Sequence, residues 1–200
     1  VLDLTDSTLL GKGSSRLCYL HPGDPGKCIK ITYTRNPEVE KEELKHYRHH
    51  RRRGISWEMV AKTYGPVKTS MGNGVMFSLA RDFDGAISRT LDHYLAEEQL
   101  TPPAEELSSL LGTFRNYMID ERIVIRKLKP DNIVLERLTP DEARLILIDK
   151  LGNNQFLPIA NYSNTFAKRV ILRKWNTFER DLIKEFPANT IVKSVLGGKS

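Results

Sequence analysis

The chain changes character about halfway along. Over residues 1–85 short apolar runs are cut by glycine and proline, whereas from residue 88 onward apolar positions recur at helical spacing. "STLLGKGSSRLCYLHPGDPGKCIKITYT" reads as strand, Gly-rich turn, strand, a Pro/Gly turn at His21–Gly26, and strand. A helix is expected from near Pro37, with Val39, Leu44 and Tyr47 as an uneven apolar side among many charges. "VAKTYGPVKT", "MGNG" and "VMFSLARDF" read as a hairpin whose tight turn draws positive-φ positions from Gly72–Gly74. "SRTLDHYLAEEQL" is a helix candidate closed by "TPP", after which Thr101 is expected to cap the next helix with prolines in its first turn. That next helix carries a clear stripe: Leu107, Leu110, Leu111, Phe114 and Met118. Three short apolar runs follow, "IVI", "NIVLE" and "RLILID". A last helix puts Trp175, Phe178, Leu182 and Phe186 on one face.

Composition changes this picture little. Hydrophobic residues make up 40% and charged residues 28% of the 200, ordinary for a globular chain. One domain is expected over 1–195, divided into 1–84 and 85–195, with 196–200 as a frayed tail. No apolar run approaches the roughly 18 residues of a membrane span. Two cysteines, Cys18 and Cys28, make no disulfide framework, so a cytoplasmic location is expected. The net charge of +6 is partly local, in "HYRHHRRR" (His46–Arg53). This segment reads first as the solvated basic end of a helix, and second as a contact for an acidic partner. Nothing has the spacing of a zinc finger, and nucleic acid is not an expected partner.

The candidate chemistry is phosphate chemistry. "GKGSSR" (Gly11–Arg16) joins two strands, and glycines there let backbone N–H groups approach phosphate oxygens closely. A plain hairpin turn would want glycine too. Lys30 stands in a strand 19 residues after Gly11. Strand alternation sends Ile29 and Ile31 to one face and Lys30 to the other. The following helix offers Glu38, Glu40, Glu42 and Glu43 to hold such a cation. Further on, "IRKLKPDNIVLE" brings Lys129 and Asn132, and Asp149 follows Asn132 by 17 residues at the end of an apolar run. An amide oxygen and a carboxylate suit Mg²⁺, which takes few protein ligands and keeps several waters. The terminal "GGKS" is not a P-loop, since Lys193 stands where its first glycine would be.

Together "LGKGSSRLCYL", "CIKI", "EELKHY", "IRKLKPDNIVL" and "LILIDKLG" resemble the protein-kinase-like signature in order and spacing, over Leu9 to Gly152. The small size, the "EELKHY" helix, the "DFDG" segment and a final Asp-x-x-Gly are more specifically similar to the bacterial YrbL (PhoP regulatory network) family. The resemblance implies a small two-lobed α+β fold: an antiparallel-sheet N-lobe with one helix, then a shortened, mainly helical C-lobe. It also implies that ATP and Mg²⁺ bind between the lobes. Gly11 and Gly13 would cover the phosphates. Lys30 would bind the α- and β-phosphates, held by Glu43, with Glu40 the alternative one turn earlier. Lys129 would touch the transferred phosphoryl group, and Asn132 and Asp149 would hold the metal. "SLARDF" would form the adenine-side hinge, and Asp82–Gly85 its exit.

Three features depart from that pattern. The usual His-Arg-Asp is Ile125-Arg126-Lys127, so a cation, Lys127, replaces the carboxylate that would accept the substrate's proton. A lysine does that work only if burial makes it a base. Arg16 stands where the third loop glycine would be, and either closes over phosphates or blocks them. Only 51 residues follow Asp149, with no Ala-Pro-Glu segment for docking a peptide. Two functions are therefore expected: an atypical phosphotransferase acting on a protein or small molecule, or a pseudokinase serving as a nucleotide-dependent regulatory module.

Overall fold

The computed structural model describes residues 1–13, 15–33, 38–149, 151 and 164–198. The chain is α+β and divides into two compact units. The first comprises Val1–Trp57 and Ala61–Arg81, the second Glu58–Val60 and Asp82–Ser200.

The first unit is a five-stranded antiparallel sheet with one helix. Strands β1 (Leu9–Lys12), β2 (Arg16–Leu20), β3 (Lys27–Thr32), β4 (Thr63–Thr69) and β5 (Gly72–Ser78) lie in the order β1-β2-β3-β5-β4. Helix α1 (Glu38–Arg53) is inserted between β3 and β4. Both sheet faces are covered, and alternation along β3 decides what goes where. Ile29 and Ile31 pack with Leu4 and Tyr19. On the opposite face Phe77 of β5 meets Tyr47 of α1 edge-on at 5.5 Å, and Tyr47 stacks on Trp57 at 5.9 Å.

Two local expectations need correcting. Among the described side chains of α1 the buried ones are Glu43, Tyr47 and His50, two of them polar, and Leu44 is only half-buried; the Val39 side chain lies outside the described residues. The helix looked uneven in sequence because polar side chains do part of its packing. In the β4–β5 hairpin Gly72 does adopt a positive φ, 111°, but Gly74 does not. Gly74 is needed because a Cβ there would stand 2.9 Å from Cγ2 of Ile29 and 3.1 Å from the Lys30 carbonyl. The basic run closes α1, with His50, Arg51, Arg52 and Arg53 in its last turn and Gly54 (φ 67°) beyond it. Cations there meet the negative end of the helix dipole.

The second unit holds a three-stranded antiparallel sheet of β6 (Arg89–Thr90), β7 (Ile133–Arg137) and β8 (Ala143–Leu147), with helices α2 (Leu91–Ala96), α3 (Ala104–Asp120), α4 (Asn164–Glu185) and α5 (Thr190–Leu196). The apolar stripe of α3 is buried throughout, as are Trp175, Phe178, Leu182 and Phe186. Phe114, Trp175 and Phe178 form an aromatic chain with centroid separations of 6.3 and 5.4 Å.

Here too the structure amends the sequence reading. The helix expected over "SRTLDHYLAEEQL" begins as strand β6 and stops at Ala96. Thr101 caps nothing: its hydroxyl donates to the carbonyls of Tyr94 and Glu97 and accepts from the Asn189 amide at 2.7 Å. The N-cap of α3 is Pro103, so the prolines precede its first turn. Asn189 meanwhile caps α5 through its oxygen, 3.0 Å from the Val192 nitrogen. No described helix is long and apolar enough to cross a membrane.

Candidate functional site

The first unit gathers four of the sequence-predicted residues. The β2–β3 register pairs Cys18 with Lys30 and Arg16 with Thr32, which puts Arg16, Cys18, Cys28 and Lys30 on one sheet face. Lys30 is only 9% exposed, and its ammonium lies 4.9 Å from the centre of the Phe77 ring. Glu43 rises from the buried side of α1, and its carboxylate is ion-paired with the Arg16 guanidinium; Nη2 of Arg16 reaches Oε1 at 3.4 Å. Arg16 thus lies along the inner face of the sheet and grips the helix glutamate. Glu40, the alternative, accepts from the Thr32 hydroxyl at 3.4 Å.

The Gly-rich turn is tied from its ends. Gly13 N–H donates to the Arg16 carbonyl at 2.8 Å, and the Tyr33 hydroxyl donates to the Gly13 carbonyl at 2.7 Å. Neither Gly11 nor Gly13 has a positive φ. A Cβ on Gly11 would meet nothing within 4 Å, and one on Gly13 only the Arg16 carbonyl at 3.6 Å. Among the described residues, therefore, nothing demands glycine at either position.

Beside Lys30 the two thiols interact. A hydrogen bond with Cys18, and then burial, push the Cys28 thiol far up from its ordinary value.

The second unit holds the other half of the predicted set. Lys127 and Lys129 are exposed, Leu128 between them is buried, and a single 3-10 turn follows over Pro130–Asn132. The Asn132 N–H donates to the Lys129 carbonyl at 3.1 Å, while the Asn132 carbonyl accepts from the Ile148 N–H at 2.9 Å. That second bond ties Asn132 to the residue just before Asp149. Asn132 itself is 8% exposed. The pair supplies hard oxygen donors from two adjacent backbone segments, the chemistry Mg²⁺ prefers. Asp82 of the "DFDG" segment is committed elsewhere: its carboxylate accepts from the Ser88 hydroxyl at 2.7 Å and the Arg137 N–H at 3.0 Å.

Two relationships were not legible in the sequence. One is the choice of Glu43 by Arg16. The other is Lys174 of α4, whose ammonium donates to the carbonyls of Ile125 and Arg126 at 2.5 and 2.6 Å. Burial and then the neighbouring Arg173 charge lower the Lys174 pKa. In the sequence this lysine is one cation among several on a helix, and no spacing marks it.

Lys30 on the third strand, Glu43 on the next helix, and Asn132 bonded through its carbonyl to Ile148, the residue before Asp149, belong to an α+β protein of protein-kinase-like plan. The chain belongs to the PhoP regulatory network protein YrbL family, whose model matches residues 2–183. It is 34% identical over 181 residues to YrbL of Escherichia coli, covering 89% of this chain and 86% of that one, and to YrbL of Shigella flexneri with the same figures. Among solved structures it is similar to the PknI kinase domain of Mycobacterium tuberculosis, at 16% identity and a TM-score of 0.49, covering 73% of this chain and 60% of that domain. A second structure of that domain matches at 14% identity and a TM-score of 0.48, covering 96% and 87%.

Proposed function

We propose that this protein binds ATP with Mg²⁺ and acts as an atypical phosphotransferase on a protein or small molecule. The observation that carries this reading is Lys30. Its side chain lies on the sheet face that also carries Arg16, so two cations share that face, and its strand neighbour Cys18 pairs with Gly11 of the glycine turn. Both features are explained if phosphate oxygens approach there.

In this reading the N–H groups around Gly11 and Gly13 cover the phosphates, and Lys30 binds the α- and β-phosphates. Glu43 orients the cations of that face. Lys129 binds the transferred phosphoryl group, and Asn132 and Asp149 hold the metal. Mg²⁺, when bound, neutralises phosphate charge. A cytoplasmic setting and an acidic partner for the exposed arginines of His46–Arg53 belong to the same proposal.

A second reading, a pseudokinase that binds nucleotide to regulate a partner, is favoured by Lys127. It is exposed, and it stands where the kinase-like pattern has the carboxylate that accepts the substrate's proton. General-base help contributes about 10²–10⁴-fold in typical enzymes. Phosphoryl transfer relies mainly on positioning and charge, so the first reading survives that loss with slow turnover.

Thermal denaturation with ATP, with and without Mg²⁺, tests nucleotide binding. Ligand raises the midpoint of the wild type, Lys30→Met removes the rise, and Asp149→Ala removes its Mg²⁺-dependent part. A wild-type midpoint indifferent to ATP and Mg²⁺ sinks both readings. Incubation with labelled ATP and mass spectrometry of the products then separates transferase from pseudokinase.

A further inference from the structure

The ammonium of Lys174 is placed where it controls the backbone of the loop that carries Lys127. Its stem shares one lining with Met118, Ile123, Leu128, Ile171 and Trp175, so an apolar wall directs the charged end. That end meets two consecutive carbonyls, Ile125 at 2.5 Å and Arg126 at 2.6 Å. A peptide group is planar from one Cα to the next. Holding the Arg126 carbonyl therefore fixes the plane that contains the Lys127 nitrogen and Cα. Holding the Ile125 carbonyl fixes the plane before it.

The rest of the loop is pinned by other means. Ile125 also bridges Leu151 in antiparallel fashion, Leu128 is buried, and Asn132 N–H closes on the Lys129 carbonyl at 3.1 Å. Between the bridge at Ile125 and the buried Leu128, the Arg126–Lys127 peptide is held by Lys174. Donation from a charged group makes these bonds stronger than neutral ones.

We propose that Lys174 is a positioning residue: by clamping two successive carbonyls it sets the direction in which Lys127 leaves the loop and the start of the path to Lys129 and Asn132. Its significance for phosphoryl transfer rests on the nucleotide reading above. The clamp itself consists wholly of protein atoms and is tested without nucleotide.

The experiment compares wild type, Lys174→Met, Lys174→Arg and Lys174→Gln as full chains by amide hydrogen exchange in the absence of nucleotide. Methionine keeps the stem and removes the donors. In Lys174→Met exchange across 125–129 rises about tenfold while β7 and β8 hold their wild-type rates. Lys174→Arg, which restores a charged multiple donor, returns most of that protection, and Lys174→Gln falls between the two. Unchanged exchange at 125–129 in Lys174→Met overturns the proposal. So does a rise spread evenly over the second unit, or an arginine variant no better than methionine. If Lys174→Met does not fold, the glutamine and arginine variants decide: equal protection of 125–129 in those two overturns the proposal, and weaker protection in glutamine supports it. A parallel ATP titration keeps the two ideas apart. Wild type that binds no nucleotide overturns the functional reading, and the exchange data still judge the clamp.

Discussion

Arg16 lays its guanidinium on the carboxylate of Glu43. The residue that stands in place of a third loop glycine thus anchors helix α1 to strand β2, across the same face that buries Lys30. Side-chain exposure is 11% for Arg16 and 8% for Glu43, so the pair is largely out of water. Removing one partner leaves the other charge buried, which typically costs on the order of 3 kcal/mol. Arg16→Gln should lower urea-unfolding stability by about that amount, and the double variant with Glu43→Gln should recover part of it. A loss below about 0.5 kcal/mol, the level of an ordinary surface site, would show that the pair does not hold the helix.

The glycines of the turn make a contrasting case. Gly11 and Gly13 have neither positive φ nor a neighbour closer than 3.6 Å to an added Cβ. Gly11→Ala and Gly13→Ala should therefore leave stability within about 0.5 kcal/mol of wild type. If backbone N–H groups approach phosphates there, the same variants weaken ATP binding. Calorimetric titration showing unaltered ATP affinity in both would remove the turn from the nucleotide site.

If the protein transfers phosphoryl groups as proposed, Lys127 is the position that most limits turnover. Lys127→Asp restores a carboxylate where a proton acceptor is wanted, and should raise ATPase or autophosphorylation activity, by about 10²-fold if general-base help is all that is missing. The readout is phosphate release at saturating ATP and Mg²⁺. Intact ATP binding with no gain in turnover would place the defect elsewhere in the loop.

His50 predicts an acid-sensitive step. It is 3% exposed, and burial, followed by the Arg53, His49 and His46 charges, lowers its pKa from 6.5 to about 3. Arg53 lies 3.2 Å from its Nδ1 and can only donate, so the ring is neutral with Nδ1 accepting. The unfolded chain thus takes up a proton that the folded chain refuses. The contribution is complete above pH 6.5 and is lost as pH falls from 6.5 towards 3, amounting to about 2 kcal/mol between pH 8 and pH 5. Urea unfolding at those two values checks it. His50→Gln, which keeps an acceptor for Arg53, should flatten the dependence by that amount. An equally steep profile in the variant would assign the acid sensitivity to other groups.

Much of the protein is written in local pattern. Alternation in "KCIKIT" placed Ile29 and Ile31 opposite Lys30, and the 3.6-residue stripe from Leu107 to Met118 is buried from end to end. These readings succeed because a strand's period of two and a helix's period of 3.6 are properties of the backbone alone. Of the three short apolar runs, "NIVLE" and "RLILID" contribute β7 and β8, whereas "IVI" makes only a bridge from Ile125 to Leu151.

The sequence by itself determined the family, the α+β order of elements, and which residue types stand at each motif position, because local periodicity and motif spacing suffice for those. It did not determine partnerships. The family resemblance singled out Glu43 on α1 but not its Arg16 partner, and Glu43 lies one turn from Tyr47, which packs on Phe77, so the same buried face brings it to Arg16. Likewise Lys174 reaches carbonyls 48 and 49 residues away in sequence. Such bonds depend on where helices pack, and packing is decided by burial summed over the whole fold rather than by any stretch of chain.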